Sequence, residues 1–213
     1  MHGAGWLDRA TQAVRLMLGF AYLVNGLNWF VKIITPYPSI SDFVDYMPPP
    51  DIVGALIENG IMFHLAKGIE VVTGIALLAN RFVPLSLVVA MTVTVPVFIT
   101  DVFKPEWKLR AFLMGSGSLV MNVYLLFAYF DHFRPMMALK AAPNLHPDRP
   151  QPAEGGAAAD LLGALARPAM LALAPIALAM GLAMTVWLST MIVQHAADPK
   201  AIHEVRKMVP RAR

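Results

Sequence analysis

The feature that most limits how this chain can fold is the length of its apolar runs. A helix needs about 20 mostly apolar residues to cross the hydrocarbon core of a bilayer, because lipid offers no partner for backbone polar groups. Four runs reach that length: Gln12 to Ile34, Ile61 to Ala79, Phe82 to Phe103 and Leu109 to Phe130. A fifth lies within Leu161 to Val193, from Pro168 onward. Composition agrees, with 57% hydrophobic and 15% charged residues where soluble domains carry about 45–50% and about 25%. The same balance excludes a disordered chain, which is kept unfolded by low hydrophobicity and high charge. The expected class is an all-α integral membrane helical bundle, a four-helix core plus a fifth C-terminal membrane helix.

The first run follows a short start containing Arg9, as a secretory signal would. It continues past a normal signal core, holds Asn25 and Asn28, and has no small-residue cleavage site after it, so a retained span is expected. The Lys/Arg bias of short loops sets orientation. With a cytoplasmic N-terminus, the inner side receives Arg9, Arg15, Arg81, Arg134, Lys140, Arg149 and Arg167, against Lys104, Lys108 and Arg110 outside. The first outer loop, Thr35 to Gly60, has no Lys or Arg and carries Asp42, Asp45, Asp51 and Glu58. The tail opposes this bias, since a crossing fifth helix leaves Lys200, Arg206, Lys207, Arg211 and Arg213 outside. Either the early loops dominate, or the fifth segment is a re-entrant or surface helix that leaves the tail inside, and crossing is expected. The expectation is a multi-pass protein of a bacterial-type inner membrane, N-terminus in the cytoplasm.

Two proline clusters, at Thr35 to Pro38 and Met47 to Asp51, keep the first outer loop extended, because proline fixes φ and lacks the N–H. A short helix capped near Asp51 follows them. Residues 140–160, rich in Pro, Ala and Gly, read as a flexible linker between a four-helix unit (1–139) and a fifth helix with a basic tail (161–213). Pro168 is expected in a first turn, where a missing donor is tolerated, and Pro96 and Pro175 inside their spans, where they kink the helix. The small residues Gly115 to Ser118 and the Ala-rich fifth segment suit close helix packing, the latter against the core, another copy or a partner.

Ionisable groups inside spans are costly and mark functional sites by default. In the second run His64, Lys67 and Glu70 are spaced i, i+3, i+6 and share one helix face. Glu70 lies near mid-span and must be paired or protonated. In the first run Arg15, Tyr22, Asn25, Trp29 and Lys32 share a face, with Asn28 beside them. Arg15 and Lys32, near opposite ends, are placed to snorkel to the two surfaces, while the two Asn should hydrogen-bond across helices. By depth, Asn28, Lys32, His64, Lys67 and Asp101 fall in the outer half with Arg110 at the rim, and Glu70 and Asn122 near the middle. These groups converge on one polar pocket facing outward. The structural alternative is that they only hold helices in register, since membrane hydrogen bonds contribute about 0.6–2 kcal/mol each.

Several chemistries have no support. The absence of cysteine removes disulfide and thiol chemistry. Basic residues are scattered despite a pI near 9.3, which argues against a nucleic-acid partner. No HExxH, CxxC, Walker A or GxGxxG motif occurs, and no metal site is expected. A membrane haem needs two His at one depth, whereas His64 and His132 lie near opposite ends, and His195 and His203 lie beyond the fifth segment.

The runs RLMLGFAYLVNGLNWF (Arg15 to Phe30) and HLAKGIEVVTGIALLANRFVPLSLVV (His64 to Val89) resemble the DoxX-like family of small four-helix membrane proteins. The resemblance covers roughly residues 10–133, with Arg15, Lys67 and Glu70 at positions that match the family's polar core. It implies association with redox systems, such as quinone-linked thiosulfate oxidation or thiol and oxidative stress. Two departures are the lack of cysteine and the extra C-terminal segment. Three readings follow. One is a redox-linked, quinone-associated membrane subunit, in which Glu70, Lys67 and His64 carry the proton chemistry, with Asn25, Asn28, Lys32, Asp101 and Arg110 binding the substrate. The second is a non-enzymatic assembly subunit that meets a membrane protein partner through the fifth helix. The third is a small-solute transporter.

Overall fold

The computed structural model describes residues 3–34, 61–103, 109–137 and 156–197. Among them are five α-helices: α1 (Gly3–Phe30), α2 (Ile61–Leu78), α3 (Val83–Val102), α4 (Leu109–Ala128) and α5 (Ala157–Ala197). Two short 3₁₀ turns, Phe130–His132 and Arg134–Met137, follow α4. The described residues contain no strand. The proline clusters of the first loop, the helix expected after Asp51, residues 140–155 and the basic tail from residue 198 lie outside the described residues.

Helices α2, α3, α4 and α5 are long and apolar enough to cross a membrane. Helix α1, 28 residues long, is not among them, because Arg15, Asn25 and Asn28 interrupt its apolar run. It carries these groups because other helices enclose it. It packs against α2, α4 and α5, and Val14, Leu18, Ala21 and Val24 are buried in the common core. Contacts fix the directions: Gly19 meets Leu77 where Gly26 meets Lys67, Gly115 meets Asp101 where Tyr22 joins Thr94 to Asn122, and Gly117 faces Met184 where Gly181 faces Met121. Helices α1, α3 and α5 therefore run one way and α2 and α4 the other.

Helices α1 and α2 approach to backbone distance. A Cβ added at Gly74 would stand 2.6 Å from the Leu23 amide nitrogen, and one at Gly26 would stand 2.9 Å from the Lys67 carbonyl oxygen. Gly19 completes this seam, with Leu77 Cβ 3.1 Å from where its own Cβ would be. Small residues let helices gain dispersion contact that lipid cannot drive by the hydrophobic effect.

The turn from α2 to α3 closes tightly. Asn80 has φ 54°, its N–H bonds Leu77 O at 3.2 Å, and the Arg81 N–H bonds Ala76 O at 2.8 Å. This is a Schellman ending, with Asn taking the left-handed position that glycine more often fills. Arg15 joins it from α1. Its guanidinium donates to Leu77 O and, at 2.7 Å, to Gln12 Oε1. The expectation that Arg15 snorkels is therefore corrected: it is buried, and its charge neutralises the negative C-terminal end of α2.

Helix α5 begins at Ala157, well before the apolar run that announced it, so Pro168 lies inside the helix and not in its first turn. Its early turns pack beside the segment after α4, where Phe130 lies 3.4 Å from the Cβ position of Gly163 and Arg134 pairs with Asp160 at 2.7 Å. Its small-residue face, Ala174, Ala177 and Gly181, is buried within the bundle, with Met17 and Met121 against Gly181. The close packing expected of Gly115 to Ser118 is also present. A Cβ on Gly115 would stand 3.0 Å from Asp101 Cβ.

The seam predicts a contrast within one helix. Gly74→Ala should destabilise the protein by about 1–3 kcal/mol, because its Cβ meets backbone that cannot yield. Gly68→Ala should not destabilise, because nothing lies within 4 Å of that Cβ position. Thermal unfolding of the two variants in detergent checks the difference.

Candidate functional site

Glu70 lies midway along α2 with its side chain 3% exposed. Its neighbour one turn earlier, Lys67, places Nζ 3.0 Å from Oε1 and 2.9 Å from Oε2. From α1, Asn25 donates to Oε2 through Nδ2 at 2.9 Å. The amide nitrogen must face the carboxylate, because an ionised carboxylate only accepts. The i, i+3 spacing thus pairs the charges along one helix, and the Asn25 bond ties that pair to the next helix. Lys67 Nζ also lies 5.5 Å from the centre of the Phe63 ring.

A second polar layer sits about one turn along α1. Thr94 gives its hydroxyl proton to Ala90 O at 2.8 Å. It must therefore accept from Tyr22, whose oxygen stands 2.5 Å away. Tyr22 in turn accepts from Asn122 Nδ2 at 3.1 Å. Ser118 gives its proton to Met114 O at 2.6 Å. Each hydroxyl has one proton, so the hydrogens of Thr94, Tyr22 and Ser118 are all committed and these side chains offer only lone pairs. Between the two layers is a cavity of about 20 Å³, with Glu70 and Asn25 on one side, Tyr22, Thr94 and Ser118 on another, and Val97 and Met184 among its apolar walls. Space of this size admits one or two waters.

The structure brings together Glu70, Lys67 and Asn25 from the sequence-derived set. His64 is one turn from Lys67 and sits edge-on to Trp29, ring centres 5.6 Å apart, with Phe30 at 6.3 Å. Lys32 is half-buried just past the end of α1. Asn28 differs from expectation in the use of its carbonyl. Oδ1 accepts the Ile33 and Ile34 amides at 2.9 and 2.8 Å, closing the chain exit from its own helix. Asp101 stands on the last turn of α3 against Gly115 of α4. The side chain of Arg110 lies outside the described residues. Sequence reasoning passed over Thr94 and read Ser118 only as a small packing residue; the signal was a hydroxyl at mid-span, which membrane helices carry for many reasons. Among the described residues no group of three His, Cys, Asp or Glu could hold a metal ion.

A bundle of apolar helices around a buried ion pair defines an integral membrane protein with a polar interior. The family model described as DoxX matches residues 10–101, which span most of α1 and nearly all of α2 and α3, so over this stretch the chain is similar to the DoxX family. The resemblance expected as far as residue 133 is matched to residue 101. No curated protein and no solved structure matches the chain.

Breaking the pair on one side should cost more than removing it. Lys67→Met leaves the Glu70 carboxylate buried without its counter-charge and should lower stability by about 3 kcal/mol or more, while Lys67→Met with Glu70→Met should recover most of the loss. Unfolding of the single and double variants in the same detergent measures the difference.

Proposed function

We propose that this protein is the proton-handling subunit of a redox-linked, quinone-associated complex in a bacterial-type inner membrane, with its N-terminus in the cytoplasm. The observation that carries the reading is Glu70, a carboxylate at the centre of an apolar bundle, held by Lys67 and Asn25 at the edge of a water-sized cavity. Groups that can gain or lose a proton are rare at such a depth and usually face an interior pathway. Lys67 is a donor and Glu70 an acceptor, so a proton passed between them leaves two neutral groups and brings no net charge into lipid. His64, one turn toward the end of the bundle, is the next titratable group along α2.

A quinone ring does not fit the cavity, which has room for one or two waters. The quinone of such a complex is therefore assigned to another surface. The chain lacks cysteine, so it supplies no thiol electrons of its own. Lys32, Asp101 and Arg110 are assigned to substrate binding at the outer end, and Asn28, whose Oδ1 accepts the Ile33 and Ile34 amides, shapes that end of the bundle. The assembly reading draws less support, because the small-residue face of α5 packs within its own bundle.

The test is turnover of a water-soluble quinone analogue by the complex isolated gently from native membranes. Glu70→Gln should slow it about a hundredfold, the usual scale of a lost proton-transfer group, while the co-purifying proteins stay bound. Unchanged turnover removes the proposal. Loss of turnover together with loss of the co-purifying proteins favours the assembly reading instead.

A further inference from the structure

The polar side chains of the interior are not spread evenly along the bundle. At one end Lys32 and His64 are half-buried. Further in come Lys67, 13% exposed, and Glu70, 3% exposed. The cavity follows, and then Tyr22, Thr94 and Asn122. Asn122 is fully buried, and its Oδ1 receives no hydrogen bond from the described residues. Beyond it the character changes. Leu18, Leu77, Leu87 and Leu125 are each fully buried in one packed core. Two buried hydroxyls flank this core, Thr73, which gives its proton to Ile69 O of its own helix at 2.7 Å, and Ser86 near the start of α3; beyond them lie the Thr11–Tyr124 hydroxyl pair at 2.9 Å and Arg15 on Leu77 O.

We propose that water and protons reach the Glu70 cavity from the Lys32/His64 end of the bundle alone, and that this path ends blindly at Asn122 against a dry leucine layer. On α1, Tyr22 and Arg15 are seven residues apart, about 10 Å of helix rise, which neither a hydrogen bond nor one water spans. A water needs two to four polar partners to be held, and the leucine layer supplies none. On the cavity side the partners are present. Lone pairs on Ser118, Thr94 and Glu70 accept from water, and the amide of Asn25 donates to it. The protein is then a half-channel: it carries protons to Glu70 and back by the same entrance, and does not pass them across the membrane. This inference rests on the proton-handling reading of Glu70 but not on the quinone, because it concerns which end opens and not which ligand is served.

The chain has no cysteine, so single-cysteine variants report their own positions. The probe is silver ion, small enough for a water-sized space, applied to sealed vesicles of each orientation and read as the thiol lost to later labelling after denaturation. Val31→Cys, at an exposed position beside Lys32, marks the face to which that end opens. Ser118→Cys should react from the same face and not from the other. Leu18→Cys should react from neither. Val97→Cys, on the cavity wall, replaces Ser118→Cys where the latter does not fold. Reaction at the cavity from the Arg15 face, from both faces or from neither overturns the proposal, as does reaction at Leu18→Cys from the Arg15 side. Vesicles containing the native protein should also hold an imposed pH gradient as long as protein-free vesicles. Faster collapse overturns the blind end.

Discussion

A carboxylate cannot stand alone among apolar side chains, and most of this bundle's internal order follows from Glu70 not doing so. Its two oxygens take Lys67 from the same helix and Asn25 from the next. Those bonds are available only because α1 and α2 lie close enough for an amide side chain to reach across, and the glycines at 19, 26 and 74 set that distance. Sterics and electrostatics therefore depend on each other here. Widening the seam lengthens the Asn25 bond, and losing the ion pair removes the reason for a polar seam. Arg15 does for the end of α2 what Lys67 does for its middle, supplying positive charge where Leu77 O and its neighbours concentrate negative charge.

The spans were legible because hydropathy reads the solvent boundary directly. The runs expected at Ile61 to Ala79, Phe82 to Phe103 and Leu109 to Phe130 differ from α2, α3 and α4 by two residues or fewer at each end. The two larger errors have one cause. Helix α1 begins at Gly3 and α5 at Ala157, while the apolar runs begin near Gln12 and Pro168. A helix that continues past the lipid boundary changes its surroundings without changing its backbone, and hydropathy records only the former.

The polar interior divides the same way. Lys67 and Glu70 were legible because i, i+3 spacing settles their proximity within one helix, and Asn25 because it shares a face of α1 with other polar residues. The Tyr22–Thr94–Asn122 layer was not, since it joins three helices whose relative rotation no single span encodes. Asn122 drew notice by depth, Thr94 by nothing. Arg15 was misread for a similar reason. Near the end of a span, snorkelling and capping a neighbouring helix use the same residue type, and the choice between them is made by the partner helix.

The 41 residues of α5 form a rod about 60 Å long, twice the hydrocarbon thickness of about 30 Å. A rod that overruns the bilayer can lean while its apolar turns stay in lipid. Because Gly181 is interlocked with Met17 and Met121, and Met184 fills the notch at Gly117, α1 and α4 must lean with it. Any lean of α5 is thereby shared with the helices that surround the buried acid.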